Sequence, residues 1–66
     1  MVVKVIELVG SSSRNWTEAV ENAVAEAGRT VDGISGVEVL NFTASIKDNC
    51  IFEYKANVKV AFCVRN

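Results

Sequence analysis

Histidine is absent from this 66-residue chain, and cysteine occurs only twice, at Cys50 and Cys63. Without an imidazole, no serine or thiol has the usual base to activate it, and the commonest metal ligand is missing. There is no CxxC pair and no clustered aspartate loop, so neither a zinc site nor a calcium loop is written into one segment. Neither sign of charge dominates: seven basic and eight acidic side chains are interspersed, for a net charge of −1. That balance provides no electrostatic footprint for nucleic acid or for an anionic membrane surface. No apolar run is long enough to span a bilayer, because MVVKVIELVG is broken by Lys4 and Glu7. It also lacks a small-residue cleavage pattern, and a first strand explains it better. Repeats, low-complexity runs and linkers are missing too, which predicts one domain over 1–66. Catalysis is therefore the poorest reading, and two unpaired thiols without an export signal point to a reducing cytoplasm.

Half of the residues are hydrophobic and 23% are charged, a globular balance. A core of this size supplies only about 3–5 kcal/mol, so small domains add disulfides, metals or partner subunits. Cys50 and Cys63 fall on opposite parities of one predicted strand, so their sulfurs face apart and cannot pair within the chain. With metal unsupported, oligomerisation is left. The stretch NCIFEYKANVKVAFCV makes the same demand. Cys50, Phe52, Tyr54, Ala56, Val58, Val60, Phe62 and Val64 share one parity, while Glu53, Lys55, Asn57 and Lys59 share the other. This is the period of a half-buried strand, and its sixteen residues reach roughly 50 Å. A compact chain of this length has a radius of gyration of only about 11 Å. Neighbouring chains must cover the excess.

Four elements fit the pattern. Val2–Val9 has apolar residues on both parities, which predicts a strand in the middle of a sheet. Gly10 and Ser11–Ser13 read as a turn. Asn15 followed by Glu18 is a capping-box-like start. Trp16, Ala19, Val20, Ala23, Val24, Ala27 and Val31 then recur at helical spacing, predicting about sixteen helical residues closed by Asp32-Gly33. Val37–Ile46 is the second strand. Its apolar phase slips between Val39 and Leu40, which predicts a bulge or bend. Lys47-Asp48-Asn49 turns the chain into the third strand as an antiparallel hairpin. The expected class is α+β, in β-α-β-β order, with three antiparallel strands wrapping one helix.

In this order and spacing, KVIELVGSS, NWTEAVENAV, TVDGISGVEV and EYKANVKVAF resemble the dodecin family across essentially the whole chain. The resemblance implies a sharply curved antiparallel sheet folded around the helix and a hollow shell of twelve copies. It also implies flavin (riboflavin, FMN or FAD) held without catalysis near threefold axes, for storage, buffering or photoprotection. Two positions depart from the family pattern. Gly36 stands where the family's flavin-stacking tryptophan is found, which removes stacking of about 0.5–1.5 kcal/mol per contact. Lys55 stands at the position of a glutamine that hydrogen-bonds the flavin edge, and lysine only donates. Ser35, Gly36 and Lys55 are the expected lining of an inter-subunit ligand gap for a flavin or another aromatic or anionic molecule. The alternative is a non-flavin shell with a structural role, or one binding an ion such as calcium at subunit contacts.

Other residues invite sharper readings that packing explains first. Trp16 follows the N-cap on the apolar stripe, so it is expected to pack at the helix entry and not to serve as a relocated stacking platform. Glu18 and Glu21 suit capping and the helix dipole. Ser11–Ser13 with Arg14 lacks the G-K-[ST] chemistry of a phosphate loop.

Overall fold

The computed structural model describes residues 1–64. Strand β1 spans Val2–Ser12, helix α1 Trp16–Ala27, strand β2 Ile34–Lys47 and strand β3 Cys50–Val64. The three strands form one antiparallel sheet in the order β1-β3-β2. The expected α+β, β-α-β-β architecture is thus the observed one. β3 lies in the middle, not β1: β1 pairs with β3 alone, so its second edge is open. Ile6 and Leu8 pack towards the helix, while Val3, Val5 and Val9 face out at 53%, 54% and 64% exposure. Apolar residues on both parities of β1 therefore mark an uncovered face, not a central position.

The ends of the elements also differ from the sequence pattern. Gly10, Ser11 and Ser12 extend β1 because β3 offers them backbone partners at Ala56, Lys55 and Tyr54. The helix stops at Ala27 after twelve residues. Gly28 closes it in a right-handed conformation, and the amides of Thr30 and Val31 return to the Ala27 carbonyl. Gly33 does adopt the left-handed conformation, at φ 76°, but it serves the entry to β2 rather than the helix end. Its carbonyl accepts from the Cys63 amide at 3.0 Å.

The helix start follows the sequence expectation. Asn15 is the N-cap, and its side-chain oxygen accepts from the Glu18 amide at 2.7 Å. The buried Ser12 hydroxyl completes the arrangement. It accepts from the amides of Arg14 and Asn15 and donates to Glu18 Oε1 at 3.1 Å. Ala19, Ala23 and Ala27 recur every fourth residue on the buried stripe and let the helix lie close against Ala56, Val58 and Val60. Ile6, Leu8, Val20, Val24 and Ile34 surround this core.

The hairpin turn is tight. Lys47 pairs with Cys50, and Asp48 and Asn49 both have positive φ (53° and 63°), as a two-residue type I′ connection requires. The phase slip in β2 is a real irregularity: the register shifts between Val39 and Asn41, with further shifts between Ile34 and Gly36 and between Ser45 and Ile46. The chain is 51 Å long in one direction with a radius of gyration of 13.4 Å, larger than the ~11 Å of a compact chain. The helix lies over β1 and β3, so the far hairpin stays uncovered: Phe42, Ile46, Ile51 and Phe52 are 42–59% exposed. Cys50 and Cys63 are both free thiols.

Candidate ligand site

Antiparallel pairing sorts the sheet surface away from the helix into rows, since residues directly opposite share a face. Val5, Ala61 and Gly36 form one row. The next holds Glu7, Lys59 and Glu38, then Val9, Asn57 and Asn41, then Ser11, Lys55 and Thr43. The first row is apolar and small. A Cβ built on Gly36 would find no atom within 4 Å. Together with Val37, Glu38 and Lys59, this row borders a shallow depression of about 440 Å³. That volume is in the range of small-molecule sites. Ser35 is the extra residue of the register shift between Ile34 and Gly36, next to this depression in sequence but not among the residues that border it.

Lys55 lies on the same face as Gly36, but six positions further along β3 than Ala61, Gly36's partner. At 3.3 Å per residue that is about 20 Å, so one chain does not bring Gly36 and Lys55 together. The Lys55 ammonium is 3.5 Å from Glu53 Oε1, and the lysine side chain is 39% exposed. Such a surface pair contributes about 0–1 kcal/mol and leaves the lysine available to a ligand. Lys59 sits between two carboxylates, with Glu7 Oε1 at 3.9 Å and Glu38 opposite in the register. Neither this charged row nor the Asn41–Asn57 pair stands out in the sequence. The parity of Lys59 and Asn57 places them on the face of Lys55, but their partners on β1 and β2 depend on register.

Trp16 lies on the other side of the sheet. Its indole Nε1 donates to the Thr43 carbonyl at 2.9 Å. The ring meets Tyr54 edge-on at 4.8 Å and 83°, and Phe42 at 6.1 Å and 61°. It anchors the helix entry to the hairpin, as its place on the apolar stripe predicts. Glu18 is engaged as well: Arg14 Nε and Nη2 reach its Oε2 at 2.9 and 2.7 Å. The Arg14 hydrogen bond holds the Glu18 carboxyl below the usual carboxylate range, and the Ser12 hydroxyl helps. Among the described residues, no group of three or more His, Cys, Asp or Glu could hold a metal ion within one chain. No described helix is long and apolar enough to cross a membrane.

A long open hairpin, one short helix and a shallow apolar trough on the outer sheet face define a small β-α-β-β protein with more apolar surface than its own helix can cover. Comparison with known proteins gives that class a name. The Dodecin family model matches residues 2–65, and the chain belongs to the dodecin family. A Thermus thermophilus protein of known structure is 29% identical with a TM-score of 0.94, covering 98% of this chain and 96% of its own. The dodecin from Streptomyces coelicolor is 28% identical with a TM-score of 0.94, covering 98% and 93%. A calcium dodecin from Mycobacterium tuberculosis, described as having a novel calcium-binding site, is 29% identical with a TM-score of 0.85 over the same shares. No curated protein matches the chain.

Proposed function

We propose that this chain works without catalysis, as a cytoplasmic homododecamer that sequesters a small planar ligand of the flavin type between its subunits. Its one domain supplies Ser35, Gly36 and Lys55 to the gap. The observation that carries this reading is the open space over Gly36 beside Val5 and Ala61. Its floor is apolar, Glu38 and Lys59 border it, and it is open within one chain. The ~20 Å between Gly36 and Lys55 fits a gap in which one subunit supplies the apolar floor and a neighbour supplies the cation. Family membership and the uncovered hairpin support assembly. Phe42, Ile46, Ile51 and Phe52 are already about half buried in the chain, so covering the rest against other copies stabilises each by about 1–1.5 kcal/mol.

A second reading, calcium held at subunit contacts, is favoured by the likeness to the Mycobacterium tuberculosis calcium dodecin. With no three-ligand group inside one chain's described residues, the oxygen ligands would come from several subunits.

Native mass measurement with and without riboflavin tests both. A dodecamer that quenches riboflavin fluorescence at low micromolar protein supports the first reading. A dodecamer indifferent to riboflavin, but destabilised by a calcium chelator and restored by calcium, supports the second. A stable monomer refutes both.

A further inference from the structure

The irregularity in β2 creates a polar pair that a regular ladder would not. Val39 faces Val58, so an uninterrupted strand would set Leu40 opposite Asn57. The register shift skips Leu40 and brings Asn41 there instead. The two side chains then bond directly, Asn57 Nδ2 donating to Asn41 Oδ1. Each amide still holds one unused group: Asn41 keeps its Nδ2 donor, and Asn57 keeps its Oδ1 acceptor. Exchanging oxygen and nitrogen in both amides leaves the same inventory, one free donor and one free acceptor.

This pair lines a depression of about 320 Å³, together with Glu7, Val9 and Leu40. Val9 and Leu40 are 64% and 43% exposed and give it an apolar rim. A free donor on one amide and a free acceptor on the other are the two group types that an adjacent ring carbonyl and ring N–H require. Lys55, two positions along β3 on the same face, can only donate and cannot read this edge.

We infer that the Asn41–Asn57 pair is a recognition site for the lactam or imide edge of a planar heterocycle. This rests on the reading that the protein sequesters a planar ring, and it assigns the edge-reading role to these two amides instead of Lys55.

The test compares riboflavin with its N(3)-methyl derivative, and lumichrome with N(3)-methyl-lumichrome, by titration calorimetry on the intact assembly. The parent rings carry the imide N–H and the methylated rings do not. The native protein is expected to prefer each N–H form by about tenfold, the worth of one good hydrogen bond. Asn41→Ala with Asn57→Ala is expected to abolish that preference, while Lys55→Ala is expected to lower overall affinity for every ring and leave the ratio between N–H and methylated forms in place. Circular dichroism and native mass confirm that each variant still folds and assembles. Should the double variant fail to assemble, Asn57→Leu replaces it, which keeps the approximate size and removes the acceptor for the ring N–H; its preference for the N–H form must then be lost. Riboflavin binding with equal affinity for the methylated ring overturns this assignment and leaves the proposed function standing. Discrimination with lumichrome but no riboflavin binding sustains the edge site and refutes flavin storage. Failure of every ring to bind refutes both.

Discussion

A methyl group on Gly10 would stand in the space already held by the carbonyl oxygen of Ala19. Strand β1 and helix α1 therefore meet backbone to backbone at this point, with the Ala23 Cβ only 2.8 Å from the same position. The contact fixes how deeply the helix sits in the sheet, and hence which part of the hairpin it leaves bare.

Gly10→Ala is expected to cost about 1–3 kcal/mol through overpacking. The obstructing atom is backbone, so shortening Ala23 would not restore stability. Urea unfolding at fixed protein concentration reads this as a lowered midpoint with little change in slope. An unchanged midpoint would mean that the helix rides higher above β1.

Gly36 is the opposite case, with nothing within 4 Å of its missing side chain. Gly36→Trp is expected to leave the chain's stability nearly unchanged and to tighten riboflavin binding about 2- to 12-fold, from stacking of about 0.5–1.5 kcal/mol. Fluorescence titration of the assembled variant measures it. No gain would show that the trough is not part of a flavin gap.

Trp16→Phe keeps an aromatic edge against Tyr54 and Phe42 but removes the donor to the Thr43 carbonyl. The expected loss is about 0.5–1.5 kcal/mol. Thermal unfolding of the variant beside Trp16→Leu separates the hydrogen bond from the ring contacts. If Phe and Leu cost the same, the ring contacts contribute nothing of their own.

Glu18 makes stability depend on acid. Its folded pKa is lowered, chiefly by the Arg14 hydrogen bond, so the stabilisation is complete above the ordinary carboxylate value near 4.5. It is lost as pH falls below that value and through the lowered one. Glu18→Gln is expected to be less stable at neutral pH and to converge with the native protein at low pH. Urea midpoints from pH 7 to pH 2.5 follow the two curves. A gap that stays constant across this range would remove Glu18 from the acid response.

Several features were legible because their signals are local. The Asn15 cap acts within one turn of helix, and its bond to the Glu18 amide follows from the spacing alone. The phase slip at Val39 and Leu40 marked the irregularity before any partner strand was known, because alternation fails wherever a residue is skipped. The helix end was less legible. Val31 continues the apolar spacing, yet the turn after Ala27 and the start of β2 at Ile34 take it out of the helix. The place of β1 was misleading for a similar reason: Val3, Val5 and Val9 look buried in sequence and are exposed in the chain.

The sequence by itself determined the element order, the parity of each face of β3, and the surplus of apolar strand, since these depend on neighbours two to four positions apart. Only the tertiary structure decided which residues stand opposite each other. Pairing across strands set Gly36 beside Ala61 and parted it from Lys55, placed Lys59 between Glu7 and Glu38, and joined Asn41 to Asn57. A shift of one residue in register exchanges every partner and turns each side chain to the other face, and nothing local records which register the strands adopt.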